Sequence, residues 1–200
     1  MTDLQALAEL LLESATLKSM PRTGWAMRGV PYSESVAEHS YGVVLVSLAL
    51  VDVLRNGARP EEPGLDLEKV LIMALLHDLA EARLTDLPAS AARLIPEEVK
   101  SRAEATALAG MLAPLPGAGR LLALWQEFED RTSPEGRLVR DADKLEMMIQ
   151  CLRYEQAGSR GLDEFWQAID TLSWHYAVCG EIYARLRTLR PGSQAEARPA

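Results

Sequence analysis

Cysteine is scarce in this sequence, and its scarcity excludes one class of small domain. The 200 residues include two cysteines, Cys151 and Cys179. Two are too few for a disulfide scaffold, and their spacing is unlike that of paired metal-binding cysteines. We therefore expect both to be reduced thiols buried in the core.

Long apolar runs and a basic leader are also lacking. The longest apolar stretches, at residues 43–54 and 70–76, fall short of the roughly 18 residues that a membrane-spanning helix needs. The first residues include Thr2, Asp3 and Gln5 and lack the basic region and apolar core of a secretory signal. These absences predict a cytoplasmic protein with no membrane partner.

Positive charge is in deficit, because 21 Lys and Arg residues face 29 Asp and Glu residues and leave a net charge of -8. Such a chain is poorly suited to the phosphate backbone of a nucleic acid, so no DNA or RNA polymer is expected as a partner. A small anionic ligand could still bind where basic residues gather locally.

What the chain does contain is typical of one globular domain. Hydrophobic residues make up 48% and charged residues 25% of the sequence, close to the averages of folded proteins. Because a chain of this length forms one domain more often than two, we predict a single helical domain over residues 1–190. Residues 191–200 are predicted to be a disordered tail.

The apolar residues recur every three or four positions, which predicts an all-α fold, a single bundle of about six to seven helices. The expected helices span residues 2–18, 35–55, 96–112, 118–129, 133–156 and 162–189, with one more that begins near residue 66 and is apolar almost all round. No strand is predicted. Residues 20–33 hold two prolines, two glycines and two arginines and are expected to form an ordered loop.

Two of the three histidines fall where helices should be buried. His39 interrupts the apolar stripe of the helix at 35–55, and the pair His77-Asp78 follows the most apolar helix. Taken alone, a histidine on such a stripe is more often a hydrogen-bonded core residue than a ligand. A buried carboxylate without a partner costs several kcal/mol, however, so a cation is expected beside Asp78.

Acidic residues at 141–146 supply further oxygen ligands. They lie on a helix whose apolar residues face the core, which places one aspartate, Asp141 or Asp143, toward the interior. Two imidazoles and two carboxylates from three helices suit a divalent ion such as Mn, Co, Fe or Zn, with open positions for water and a substrate oxygen. The ordered combination therefore favours a metal site over unrelated core residues.

These motifs resemble those of the HD-domain metal-dependent phosphohydrolases. The motif residues, in order, are ESVAEHS at 34–40, LLHDLAE at 75–81 and DADKL at 141–145. The loop at 22–30 and the run at 81–86 are similar to the 5'-deoxynucleotidase branch, which hydrolyses deoxyribonucleoside 5'-monophosphates to deoxynucleoside and phosphate. The resemblance covers residues 10–155 and implies a phosphomonoesterase in which a metal-activated water attacks phosphorus.

Carried over residue by residue, the resemblance implies that His39, His77, Asp78 and Asp143 bind the divalent ion, whose identity among Mn, Co, Fe, Zn and Mg stays open. The choice of Asp143 over Asp141 rests on the motif, since helical spacing places both on the flanks of the buried face.

Four further residues take roles that the same resemblance implies. Glu81 is the acid or base that handles the attacking water, and Arg22 binds the phosphate. Trp25 crowds the 2' position of the sugar. Asp86 contacts the sugar hydroxyl or, together with Glu81, holds a second ion.

Two alternatives use the same residues. One is an HD-type hydrolase of another nucleotide: a cyclic dinucleotide, a guanosine polyphosphate or a deoxynucleoside triphosphate. The other is a non-catalytic helical module that binds metal or nucleotide, against which Glu81 argues, because a structural site needs no spare carboxylate and keeps no open coordination position. The resemblance also implies a homodimer, for which the first or last helix offers apolar positions.

Overall fold

Eleven α-helices and one 3-10 helix make up the secondary structure of the computed structural model, which describes residues 3–56 and 64–191. The α-helices are α1 (Leu4–Ser14), α2 (Thr23–Ala26), α3 (Val36–Asn56), α4 (Leu67–Leu76), α5 (Glu81–Leu84), α6 (Ala89–Ala92), α7 (Glu97–Leu112), α8 (Ala118–Asp130), α9 (Pro134–Gln156), α10 (Asp163–Asp170) and α11 (Ala177–Thr188). The described residues contain no β-strand, so the all-α prediction is confirmed. All but the first residue of the predicted tail lies outside the described residues.

Helices α3, α4 and α9 form the centre of the bundle, and each packs against the other two. Their buried residues include Val43, Met73 and Leu145, which are fully shielded from solvent. The start of α3 is fixed by a reciprocal capping box, in which the Ser35 N–H donates to Glu38 Oε2 at 2.6 Å and the Glu38 N–H to Ser35 Oγ at 3.2 Å. The three helices predicted to carry metal ligands are therefore the three that share the core.

Helix α3 is, within residues 3–56 and 64–191, the one helix long and apolar enough to cross a membrane by length and composition. It packs on α4 and α9, and 33% of its most apolar window is buried inside the bundle. The outer side of α3 leaves Tyr41, Leu45 and Leu48 exposed. The high hydropathy thus belongs to a core helix that also has an apolar outer face.

The loop at residues 20–33 is ordered, as expected, and contains the single turn α2. The Arg22 N–H donates to the Glu34 carbonyl oxygen at 2.8 Å, and the Val36 N–H donates to the Met20 carbonyl oxygen at 2.9 Å. These bonds attach the start of the loop to the start of α3. Arg22 is thereby held beside the helix that carries His39.

The prediction of one continuous helix over residues 162–189 is wrong, because a loop at 171–176 divides it into α10 and α11. Asp141 on α9 faces that loop: its Oδ2 accepts the N–H of His175 at 2.9 Å and the N–H of Tyr176 at 3.0 Å. Its Oδ1 lies 2.9 Å from His175 Nδ1. A buried carboxylate from another helix therefore accepts the N–H groups of the two residues that immediately precede α11. The division brings the described helices of eight or more residues to eight, where six to seven were expected.

We expect Asp141→Ala to lower the free energy of unfolding by about 2 to 4 kcal/mol, because it leaves two backbone N–H groups without their acceptor and empties a buried site. Urea unfolding followed by circular dichroism measures the change. The matched control is Asp3→Ala, which removes the exposed cap of α1 and should cost about 1 kcal/mol. Equal urea midpoints for Asp141→Ala and the unmodified protein would contradict the role of Asp141 in dividing α10 from α11.

Candidate functional site

The tips of His39, His77, Asp78 and Asp143 converge where α3, the end of α4 and α9 meet. His39 Nε2 lies 3.4 Å from His77 Nε2 and 3.3 Å from Asp143 Oδ1. Asp78 Oδ2 lies 3.1 Å from His77 Nε2 and 3.6 Å from His39 Nε2. Two atoms that each bind one ion at about 2.1 Å are about 3.0 to 3.4 Å apart. The spacing and the chemistry of His39, His77 and Asp78 fit a single divalent ion, since their donor atoms lie within 4.8 Å of one another, and Asp143 borders this set through His39.

Both imidazoles present Nε2 to this centre because Nδ1 is already hydrogen bonded. His77 Nδ1 lies 2.8 Å from the Ala74 carbonyl oxygen, and His39 Nδ1 lies 2.5 Å from Glu146 Oε2. A carbonyl oxygen only accepts, so the ring proton of neutral His77 sits on Nδ1 and the lone pair on Nε2. The sequence patterns do not single out Glu146, although its place one helical turn after Asp143 puts the two side chains on one face of α9.

The carboxylates at the centre are held in the ionised form that binds metal. Burial alone would raise the pKa of Asp78, but His77 and Arg22 outweigh it and keep that pKa below its usual range. Burial likewise opposes ionisation of Asp143, whose pKa is nevertheless well below its ordinary value because of Lys144 and the neighbouring imidazoles. Lys144 Nζ donates to Asp143 Oδ2 at 2.9 Å, which leaves Oδ1 toward the histidines.

The surroundings of His39 favour its protonated form, with which an ion would compete. Burial by itself lowers the pKa of His39, but hydrogen bonds to Asp143 and Glu146 raise it to about 10. The same electrostatic environment that retains this proton therefore also attracts a cation, and the two compete for one site.

Both candidate aspartates of α9 are buried, and they have different partners. Asp143 faces the imidazole of His39, whereas Asp141 faces the start of α11. The sequence predicted that one of them points inward, and the structure buries both. Only Asp143 belongs to the converging donor set.

Arg22 is the cation expected beside Asp78. Its Nη1 lies 3.0 Å from Asp78 Oδ2 and 3.4 Å from Asp86 Oδ1. Thr23 fixes Asp86, since its backbone N–H donates to Asp86 Oδ2 and its hydroxyl donates to the Asp86 carbonyl oxygen at 2.8 Å. The preceding residue, Thr85, has φ 67° and ψ 159°, a conformation almost restricted to glycine. The chain thus accepts backbone strain immediately before Asp86.

Glu81 begins the short helix α5 and lines the same cleft. Its Oε2 is shielded from solvent and has no hydrogen-bond partner among the residues that the structure describes. Burial, together with Asp78 and Asp86, raises the pKa of Glu81 to about 9. A buried carboxyl with a raised pKa, next to side chains that could hold a metal ion, is suited to proton transfer.

A cleft of about 720 Å³ opens above the converging donors. Asp78 and Asp143 face it, and the two imidazoles lie behind them. Its volume is in the range of small-molecule sites. Six basic residues line it: Arg22, Arg28, Arg93, Lys100, Arg140 and Lys144. Six acidic residues line it as well, and five of the basic residues form ion pairs, so the cleft offers a small anion local donors rather than an excess of positive charge.

Trp25 lines the cleft from α2 and is almost fully buried. Its Nε1 donates to Glu34 Oε1 at 2.8 Å, and its ring centroid lies 4.2 Å from that of Phe165. Burial and the nearby Glu146 raise the pKa of Glu34 to about 7. Trp25 is thus a fixed part of the wall, and little of its ring is exposed.

Known proteins match this chain over the whole of the site. Residues 14–171 match a family model described as an HD domain. The 5'-deoxynucleotidase HDDC2 of Danio rerio is 34% identical over 82% of this chain and 78% of that protein. The enzyme of the same name from Mus musculus is 31% identical over 90% of this chain and 86% of that protein.

Solved structures agree with these relatives. A conserved hypothetical protein from Pyrococcus furiosus superposes with a TM-score of 0.76 at 39% identity, over 90% of this chain and 98% of that one. A protein from Pyrococcus horikoshii superposes with a TM-score of 0.72 at 38% identity, over 91% of this chain and 97% of that one. The family match, residues 14–171, spans every donor of the site from His39 to Asp143.

Proposed function

The chain belongs to the HD-domain family, and on that premise we propose that it is a 5'-deoxynucleotidase, which hydrolyses deoxyribonucleoside 5'-monophosphates to deoxynucleoside and phosphate. The observation that carries the proposal is the convergence of two imidazoles and two ionised carboxylates beneath a cleft that also holds Arg22 and Glu81. Relatives that match most of this chain are enzymes with that activity by name.

His39, His77, Asp78 and Asp143 are the residues that would hold the divalent ion. A mixed nitrogen and oxygen set suits Mn, Co, Fe or Zn, whereas a second ion between carboxylates alone would suit Mg. When bound, the ion acts as a Lewis acid toward the phosphate and lowers the pKa of water.

Basic side chains bind and orient the phosphate. The guanidinium of Arg22 has donors beyond the Nη1 that pairs with Asp78 and Asp86, and a planar fork of donors matches phosphoryl oxygens. Lys144 and Arg140 lie one turn apart on α9 and also line the cleft. Their charge stabilises the negative charge that gathers on the equatorial oxygens during in-line displacement.

Glu81 moves the proton. The attacking water forms the new P–O bond while the bond from phosphorus to the 5' oxygen breaks, and one proton must pass from the water to the leaving oxygen. The Oε2 of Glu81 is buried and without another hydrogen bond among the described residues, so it can take up or deliver that proton. No covalent intermediate with the protein is needed.

The nucleoside would lie along the apolar part of the cleft. Trp25, Met147 and Phe165 line it and offer contact surface to the sugar and base. Trp25 cannot shift easily, because its indole N–H is bonded to Glu34 and its ring packs on Phe165, so it limits room near the sugar. The carboxylate of Asp86 is the candidate acceptor for a sugar hydroxyl.

Phosphate release from a panel of nucleotides, with Mn, Co and Mg compared, tests this function. We expect release from deoxyribonucleoside 5'-monophosphates, faster than from the matching ribonucleotides, and none after chelation of the metal. Turnover confined to a cyclic dinucleotide, a guanosine polyphosphate or a deoxynucleoside triphosphate would overturn the substrate assignment. Binding of metal and nucleotide without any turnover would establish the non-catalytic module instead.

We also propose that the chain forms a homodimer through its exposed apolar surface. Helix α1 exposes Leu4, Leu11 and Leu12, and the outer side of α3 exposes Tyr41 and Leu45. Exposed apolar side chains on a helix surface are common at protein interfaces. Sedimentation velocity should give a mass near twice 22.0 kDa, and a mass of one chain at every concentration would contradict the proposal.

The cytoplasm is the location that we propose for the protein. The acidic composition and the small nucleotide substrate are consistent with it, and both cysteines are buried as expected for unoxidised thiols. Fractionation of cells that express the full chain, followed by immunoblotting, distinguishes a cytoplasmic from an exported protein.

A further inference from the structure

Gly42 lies three residues after His39 on α3, at the point where α9 comes closest to that helix turn. A Cβ atom on Gly42 would lie 2.5 Å from Glu146 Oε1, 2.7 Å from its Cγ and 2.9 Å from its Cδ. Real Cβ atoms essentially never make contacts under 3.0 Å. Any other residue at position 42 must therefore displace the side chain of Glu146.

The side chain of Glu146 has little freedom to yield. It is buried between the two helices, and its Oε2 is 2.5 Å from His39 Nδ1. One of its oxygens also lies within 4.8 Å of the ligand atoms of His39 and Glu34, so another carboxylate occupies the neighbouring space. A shift of Glu146 away from Gly42 would change the contact with His39.

We propose that Glu146 is a positioning residue, which holds His39 in the orientation and tautomer that present Nε2 to the metal, and that the missing side chain at Gly42 makes this contact sterically feasible. The inference rests on the metal site of the proposed function. It adds Glu146 and Gly42 to that site, and Gly42 contributes only by having no side chain.

His39 depends on this contact more than His77 does. The Nδ1 of His77 is bonded to the backbone oxygen of Ala74, which the helix itself holds in place. The Nδ1 of His39 is bonded to a side chain from another helix, which can be removed or displaced. Loss of such an outer hydrogen-bond partner typically costs 10- to 100-fold in metal affinity or activity.

Titration calorimetry with Mn and the metal-free protein tests the proposal directly, without any measurement of turnover. We expect Glu146→Ala to weaken Mn binding by about 10- to 100-fold. Glu146→Gln keeps an oxygen that can accept the His39 Nδ1–H and should recover most of that loss. Gly42→Ala should weaken binding about as much as Glu146→Ala, and the double variant should be no weaker than Glu146→Ala alone, because both changes break one contact.

Gly119→Ala is the matched control, since Gly119 also lies inside a helix and a Cβ there would meet nothing within 4 Å. It should bind Mn like the unmodified protein. Nitrogen-15 spectra of the three histidine rings provide a second measurement: His39 alone should change its ring-nitrogen shifts in Glu146→Ala, which a general loss of packing would not produce.

Wild-type Mn affinity in Glu146→Ala, or additive losses in the double variant, would overturn the positioning role. Should Gly42→Ala not fold, the comparison of Glu146→Ala with Glu146→Gln decides the question on its own. Absence of Mn binding by the unmodified protein would instead refute the metal site, so the two failures are distinguishable.

Discussion

Asp143→Asn is expected to abolish metal binding and to lower the rate of phosphate release by at least about a thousandfold, whereas Asp141→Asn, two residues earlier on the same helix, is expected to retain both. The two changes are chemically identical and both positions are buried on α9. They differ in what the carboxylate faces. Asp143 Oδ1 lies 3.3 Å from His39 Nε2, whereas Asp141 accepts the N–H groups at the start of α11.

The amide at position 143 carries no charge, so it cannot balance a divalent ion between two imidazoles. An amide oxygen at position 141 can still accept the N–H of His175 and the N–H of Tyr176. Asp141→Asn is therefore expected to keep its metal and most of its stability, whereas Asp143→Asn is expected to lose the metal. Metal content after dialysis, phosphate release and urea unfolding, measured on both variants, separate these outcomes. Full metal content in Asp143→Asn would remove Asp143 from the ligand set.

Part of the predicted donor set follows from local rules that its members break, whereas the choice of Asp143 over Asp141 rests on the resemblance alone. A histidine on an apolar stripe and a carboxylate after the most apolar helix, at His39 and Asp78, conflict with burial unless they have partners. Such conflicts can be recognised in the amino-acid sequence without a structure. Glu146 breaks no such rule, because a glutamate at its position is ordinary for a helix that carries other acids. Its role depends on the space beside Gly42, and a sequence does not show which helix faces that glycine.

The fold was predictable where helix signals are local. The Ser35 and Glu38 capping box and Ser133 before Pro134 mark the starts of α3 and α9 within about a residue. The break between α10 and α11 has a tertiary cause, since the acceptor for the N–H of His175 is Asp141, 34 residues earlier in the chain. Periodicity alone continues across that loop, so the sequence predicted one helix.

Glu81→Gln is expected to lower kcat by about 100- to 10,000-fold, the usual range for loss of a general acid or base, while Mn affinity stays within about threefold of the unmodified value. Glutamine has nearly the same shape and cannot carry a transferable proton. The side chain of Glu81 is not among the four converging donors, so the metal should remain bound. The defect should lie in kcat rather than in substrate binding.

The pH dependence of kcat identifies the direction of the proton transfer. Burial raises the pKa of Glu81 to about 9 in the metal-free protein. If this carboxyl acts as an acid, kcat falls as the pH rises through its pKa, because the proton is lost. A bound cation lowers that pKa, and a base loses activity as pH falls through the lowered value. In either case the plot of kcat against pH for Glu81→Gln should lack the fall in kcat that the unmodified enzyme shows.

Glu13→Gln is the control for damage to α5, because Glu13 pairs with Arg83 on the outer side of that short helix. It should keep kcat within about twofold, since exposed ion pairs contribute little. A Glu81→Gln enzyme with normal kcat and an unchanged pH profile would show that the proton passes through water alone. The buried carboxyl of Glu81 would then serve only to attract a second cation, and its removal would weaken Mg binding rather than turnover.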